Sequence, residues 1–132
     1  MEFILEIFKY LGKLHPVVLH LPIGALIMTF VLLLIAKFQK IDLYTAIRIG
    51  VDFSFIGALI AALLGYFLSL DDDYDFNNLS FHFWSGIVTL ILSFALSVLH
   101  RAKGKENIFF ACFVLTLISL TITGHKGGVI TH

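Results

Sequence analysis

Four long apolar stretches, separated by three short polar segments, dominate the sequence. They run over residues 16–36, 52–70, 81–99 and 108–125. A membrane-spanning helix needs about 20 mostly apolar residues, and these runs lack the period of two that a membrane strand shows. Because lipid admits only helices and closed barrels as spanning structures, the pattern predicts an all-α polytopic membrane protein. With no long linker in the sequence, we expect one domain over residues 1–132, a four-helix transmembrane bundle.

The first residues follow a different pattern. Apolar side chains recur there with helical spacing at Phe3, Ile4, Ile7, Phe8 and Leu11. The stretch is too short to span a membrane, and it lacks the basic segment and small-residue cleavage site of a signal peptide. We therefore predict a short interfacial helix over residues 1–13, with a glycine at position 12 as the break before the first span. The alternative is a frayed extension of the first spanning helix.

Composition narrows the class of protein. Of the 132 residues, 59% are apolar and 14% are charged, whereas soluble domains carry about 25% charged residues. This excludes a soluble globular enzyme and a disordered tail. Nine basic residues balance nine acidic ones, so the chain has no electrostatic footprint for nucleic acid. A single cysteine excludes an intrachain disulfide and a cysteine-based zinc site.

The placement of charge predicts the orientation in the membrane. Segments 37–48 and 100–107 hold six of the nine basic residues, whereas segment 71–80 holds none and contains four aspartates. Because Lys and Arg favour cytoplasmic loops, we expect both basic loops in the cytoplasm. Both termini and the aspartate loop would then face the periplasm of a bacterial inner membrane. At the cytoplasmic start of the second span, Arg48 and Asp52 have the spacing of an ion pair on one helix face.

Five of the six histidines are predicted to gather at the periplasmic face, on three different spans. They are His15, His20, His82, His125 and His132. Ionisable side chains at membrane depth indicate function, and imidazole suits haem iron, copper and zinc. For each histidine taken alone, an ordinary hydrogen-bonded side chain is the alternative.

Glycines share a helix face with two of these histidines. Gly24 follows His20 by four residues, and Gly86 follows His82 by four. A flat macrocycle lying on such a face needs a neighbour without a side chain. Close helix packing through small residues is the alternative, and we also assign it to the small run Gly57, Ala61 and Gly65 on the second span.

The motifs around the histidines resemble those of a known family. The stretch His15-Pro16-Val17-Val18-Leu19-His20-Leu21-Pro22-Ile23 is similar to the HPxxVHFPI signature of the "domain of unknown function 2231" family of small bacterial membrane proteins. Residues 82–86 resemble its HxWxG-type start of the third span, and residues 124–132 resemble its GHxGGxLxxxH ending. The family often has Phe where this chain has Leu21.

The resemblance covers essentially the whole chain and implies a four-span domain that is sometimes joined to c-type cytochrome domains. By analogy alone the resemblance implies a redox setting with haem b. The family's motifs match the positions of the five clustered histidines, which makes these the candidate ligands.

Three functions are compatible with these patterns. The first is a haem b-binding electron-transfer subunit, with His20 paired with either His82 or His125 and a c-type cytochrome or other membrane redox subunit as partner. The second is a copper, zinc or iron binding or transport protein, which would need an oligomer. The third is a structural subunit of a larger membrane complex. We expect the first, and no hydrolase or transferase chemistry, because the periplasmic face offers no cysteine or glutamate that could act as nucleophile or base, and no phosphate-binding glycine loop.

Overall fold

The computed structural model describes residues 2–70 and 76–130. Within these residues the chain forms five α-helices and no strand: α1 (Glu2–Gly12), α2 (His15–Gln39), α3 (Tyr44–Leu68), α4 (Phe76–Leu99) and α5 (Glu106–Ile130). The four helices after α1 are long and apolar enough to cross a membrane. The predicted all-α fold with four spans and a short N-terminal helix is confirmed.

The helices continue into the polar segments that separate the predicted spans. α2 extends to residue 39 and α3 begins at residue 44, whereas the predicted spans end at 36 and begin at 52. The turn between them is tight: Lys40 has a positive φ of 56°, and the backbone N–H of Tyr44 donates to Asp42 Oδ1 at 2.9 Å. Hydropathy reports only the length that faces lipid, whereas a helix continues until a turn or capping residue ends it.

The four long helices form an up-and-down bundle. α2 packs closely on α3 and α4 on α5, α3 packs on α4, and α2 touches α5 only sparsely. Short loops make consecutive helices antiparallel. We call the end that holds the starts of α2 and α4 (His15, His82) the histidine end. The opposite end, which holds the last turn of α2 and the α4–α5 loop (Lys37, Arg101), is the basic end.

The densest packing lies from the middle of the bundle to the basic end. The buried apolar residues there form one cluster: Leu26, Ile47, Val51, Leu96, Phe109, Cys112 and Phe113. Many large apolar side chains outside the cluster point away from the bundle, among them Phe53, Ile91 and Ile118. This outward apolar surface is the one that contacts the lipid bilayer. Because lipid tails are as apolar as these side chains, close packing has to hold the helices together.

Asp52 pairs across helices, and its partner differs from the one that sequence spacing suggests. Arg101 Nη2 lies 2.5 Å from Asp52 Oδ2, and Ser97 Oγ donates to Asp52 Oδ1 at 2.5 Å. Arg101 Nη1 in turn donates to Ser97 Oγ at 2.8 Å. The spacing of Arg48 and Asp52 concerns one helix only, whereas the loop after α4 places the Arg101 guanidinium at the same carboxylate. The resulting network joins α3 and the end of α4 near the basic end.

α1 is a separate helix that packs on the end of α3. The Phe8 ring stacks on Phe67 with centroids 4.7 Å apart. Gly12 is buried, and a Cβ on it would collide with the backbone of Leu68. The break predicted at Gly12 falls just after it, in a two-residue turn before α2. The glycine serves instead to let α1 approach α3 closely.

Substitution of Gly50 on α3 tests the contact between α2 and α3. A Cβ there would overlap Thr29 Oγ1, which donates to the Ala25 carbonyl at 2.7 Å and is therefore fixed. We expect Gly50→Ala to destabilise the protein by about 1–3 kcal/mol, since overpacking outweighs the better helix propensity of alanine. The measurement is the Tm in detergent micelles.

Two further variants control this experiment. A Cβ on Gly24 of α2 would meet nothing within 4 Å. Gly24→Ala should therefore leave the Tm unchanged or raise it, because alanine stabilises a helix by up to about 0.5–1 kcal/mol relative to glycine. Adding Thr29→Ala to Gly50→Ala removes the overlapping hydroxyl and should restore part of the loss. Equal Tm values for the two single glycine variants would contradict the described contact.

Candidate functional site

A cavity of about 410 Å³ lies at the histidine end, between all four long helices. Its size is within the range of about 300–1,000 Å³ that is usual for ligand and cofactor pockets. The lining is largely apolar, and three histidines, a tyrosine and a serine are its polar side chains. The histidines are His15, His20 and His82. The tight core of the bundle lies beyond the cavity, toward the basic end.

His15 lies at the first position of α2, before Pro16, which suits the first turn of a helix. Its Nδ1 lies 2.7 Å from the carbonyl oxygen of Ala61 on α3. Since a carbonyl oxygen can only accept, Nδ1 carries the proton, and the neutral ring presents its lone pair at Nε2. The ring reaches this carbonyl because Gly65 has no side chain: a Cβ there would lie 3.1 Å from the imidazole.

His82 on α4 repeats this arrangement against α5. Its Nδ1 lies 3.0 Å from the carbonyl oxygen of Thr123, so the neutral form of this ring also has its lone pair at Nε2. Gly127 has the same role here that Gly65 has for His15. A Cβ on Gly127 would lie 2.7 Å from the imidazole Cε1, so only a glycine leaves room for the ring. The two histidines are thus fixed in the same tautomer by the same kind of contact.

The two imidazoles meet across the cavity. Their ring centroids are 6.1 Å apart and their planes are inclined by 82°. α2 and α4 lie diagonally opposite in the bundle, and α3 and α5 each supply the anchoring carbonyl. Histidines that bind metals usually donate their other ring N–H to a carbonyl or carboxylate in this way. The arrangement can therefore present two oriented nitrogen ligands to one ion or cofactor.

The remaining sequence-predicted site residues lie in different places. His20 lines the same cavity but is exposed. Gly86 also lines it, and a Cβ there would first meet Thr123 at 4.0 Å. Gly24 is exposed, and His125 is exposed and lies outside the cavity lining. The predicted candidate His132 lies outside the described residues.

Two glycines that contact the histidines, Gly65 and Gly127, are not predicted as site residues from the sequence. Gly65 belongs to the small run that is interpreted there as packing. Each glycine follows the anchoring carbonyl by four residues: Ala61 before Gly65, and Thr123 before Gly127. In an α-helix the side chain at i+4 lies over the carbonyl of residue i. A glycine four residues after an otherwise ordinary position is the signal that could reveal such a carbonyl.

The described residues offer two close imidazoles and no larger ligand set. Among residues 2–70 and 76–130, no group of three or more His, Cys, Asp or Glu side chains is placed to hold a metal ion. Zinc sites use three or four protein ligands, whereas haem iron takes its other four ligands from the macrocycle.

Comparison with known proteins identifies one family. A family model described as "Predicted membrane protein (DUF2231)" matches residues 12–131. No curated protein and no solved structure matches the chain. The match covers all four long helices and therefore the whole cavity.

The fixed tautomer can be measured with ¹⁵N-labelled histidine in the ligand-free protein. At alkaline pH we expect His15 and His82 to resonate as Nδ1–H tautomers, because only that form donates to a carbonyl. Gly127→Ala should displace the His82 ring and change its signal. Gly124→Ala, which meets nothing within 4 Å, should leave the signal unchanged. An Nε2–H tautomer at both rings would contradict the described anchoring.

Proposed function

We propose that this chain, which belongs to the DUF2231 family of predicted membrane proteins, is a haem b-binding membrane subunit in an electron-transfer setting. His15 and His82 would hold the haem iron through their imidazoles. The observation that carries the proposal is the pair of imidazoles held at a fixed separation across a glycine-lined cavity. It favours His15 over His20 as the partner of His82.

The separation of the rings fits two ligands of one metal ion. Two collinear metal–nitrogen bonds of about 2.1 Å, with the distance from each nitrogen to its ring centre, separate such centroids by roughly 6.5 Å. The rings of His15 and His82 are 6.1 Å apart. Each keeps Nε2 for the metal because Nδ1 donates to a backbone carbonyl. These two bonds would orient both ligands before anything binds.

The cavity also fits a flat apolar group. Four of its lining residues are glycines: Gly65, Gly86, Gly124 and Gly127. Leu19, Ile23 and Ile87 add apolar side chains that limit access of water. When bound, haem supplies one-electron transfer, and the surroundings tune its potential through burial and hydrogen bonds to its ligands. The residues of this chain would bind the group, orient it and keep its surroundings of low polarity.

A bare metal ion is less well supported as the occupant. Zinc would need a third ligand, and the described residues hold no three-ligand group. His20 lines the same cavity and is five residues from His15 in the sequence, so it is the candidate for a third ligand. The third candidate function, a structural subunit, accounts for the two histidine–carbonyl bonds but leaves the second nitrogen of each ring without a use.

We also propose an orientation, with the histidine end and both termini in the periplasm of a bacterial inner membrane. The support is the distribution of basic residues: Lys37, Lys40, Arg48, Arg101, Lys103 and Lys105 lie toward the basic end. The cavity would then face the compartment of c-type cytochromes, which are the proposed partners alongside other membrane redox subunits.

An absorption spectrum of the full chain tests the haem proposal. After expression with ample haem, we expect a Soret band and a pyridine haemochrome equivalent to about one haem b per chain, as two protein ligands allow. His15→Ala and His82→Ala should each lose most of the bound haem. His125→Ala, a change outside the cavity, should retain it.

Three outcomes would count against the proposal. Absence of a Soret band with ample haem would overturn haem binding. Stoichiometric copper or zinc without porphyrin would support the bare-metal alternative. If His20→Ala lost haem while His15→Ala kept it, the assignment of the ligand pair would be wrong.

The orientation is tested by labelling single cysteines in a Cys112→Ser background, since Cys112 is buried. We expect a membrane-impermeant maleimide to label Lys13→Cys in spheroplasts. It should label Lys103→Cys only after the membrane is permeabilised, because basic loops remain cytoplasmic. Labelling of Lys103→Cys in intact spheroplasts would reverse the proposed orientation.

A further inference from the structure

The basic end contains a second cavity, of about 670 Å³. It lies between the last turns of α2, the α4–α5 loop and the first turns of α5. It shares no lining residue with the cavity at the histidine end. Its wall combines two kinds of surface, one apolar and one cationic.

The apolar part of the wall lies along the seam between α2 and α5. It is formed by Leu33, Ala36, Leu99, Phe109 and Phe110. α2 and α5 are the most sparsely packed of the neighbouring long helices. A sparsely packed seam between two spanning helices adjoins the acyl region of the bilayer, so an acyl chain is the apolar group at hand to fill it.

The cationic part lies where the helices end, at the level of lipid headgroups. Lys37, Arg101 and Lys103 line the cavity, against one carboxylate in the lining, that of Glu106. The Lys37 ammonium lies 5.0 Å from the centre of the Phe110 ring. Arg101 is held by its bonds to Asp52, which neutralises part of its charge. Even so, cations outnumber carboxylates around the cavity.

The carboxylates of Asp52 and Glu106 offset two of the three positive charges, so one positive charge remains in excess. The Glu106 Oε1 accepts from the backbone N–H of Gly104 at 3.2 Å, which holds this carboxylate in its own loop. A net positive charge above an apolar seam matches a phosphodiester above an acyl chain. Free inorganic phosphate would leave the apolar part of the wall uncovered.

We propose that this cavity binds one anionic phospholipid. Its phosphate lies among Lys37, Arg101 and Lys103, and one acyl chain follows the seam between α2 and α5. Basic pockets between spanning helices bind anionic headgroups in this way. The site is independent of the haem proposal, because it lies at the other end of the bundle.

The test is native mass spectrometry of the full chain released from nonionic detergent. Phosphatidylglycerol, phosphatidylcholine and inorganic phosphate are the three probes. We expect retention of phosphatidylglycerol in preference to phosphatidylcholine. The double variant Lys37→Gln with Lys103→Gln should weaken phosphatidylglycerol binding about tenfold or more.

A matched control keeps the same net charge at the same end of the molecule. Lys40→Gln with Lys105→Gln changes two lysines in the same loops that do not line the cavity, and binding should stay close to wild type. Equal loss in both double variants, or equal retention of the two lipids, would overturn the site. Displacement of the lipid by inorganic phosphate at similar concentration would show that a free anion, and not a lipid, is the ligand.

Discussion

A lipid interior offers no hydrogen-bond partner to a polar atom, and this constraint shapes every helix of the chain. Hydroxyls on the spans donate back to a carbonyl one turn earlier, as Thr29, Ser54 and Thr116 do. In the part of the chain that the structure describes, no buried side-chain nitrogen or oxygen lacks a partner. His15 and His82 obey the same rule, because a carbonyl of the neighbouring helix accepts the N–H of each ring. The requirement that makes an imidazole tolerable at membrane depth therefore also sets the direction of its second nitrogen.

A helical carbonyl can take a second hydrogen bond only if a ring can reach it. It already accepts from the N–H four residues later, and the side chain of that later residue lies over it. Glycine at that position opens the carbonyl to the neighbouring helix. The chain uses this arrangement twice, once between α2 and α3 through Gly65 and once between α4 and α5 through Gly127. Two helix hairpins built alike therefore bring two like histidines face to face.

The number of spans and the helical class follow from the sequence because both depend on local composition and on the thickness of lipid. The gathering of histidines at one end also follows, since it requires only the order of the spans. Which histidine faces inward does not follow. His15 and His20 are separated by five residues, so their side chains point about 140° apart around the helix, and only packing against α3 selects between them. The pairing of Asp52 with Arg101 has the same origin, because it needs the position of α4.

The bundle is packed unevenly, and its tightly packed part holds the helices that surround the cavity at the histidine end. The apolar cluster around Phe113 and Leu96 holds the four helices from the middle to the basic end. Toward the histidine end the contacts between helices include the two histidine–carbonyl bonds, the bonds of Thr89 to Ser119 and Thr123, and the packing of α1 on α3. These contacts hold the helix ends around a space that the core does not fill. A ligand that bridged His15 and His82 would link the two hairpins diagonally, where the described parts of α2 and α4 make few direct contacts. Because it would bind the folded bundle only, occupancy of this site and stability of the fold would rise together.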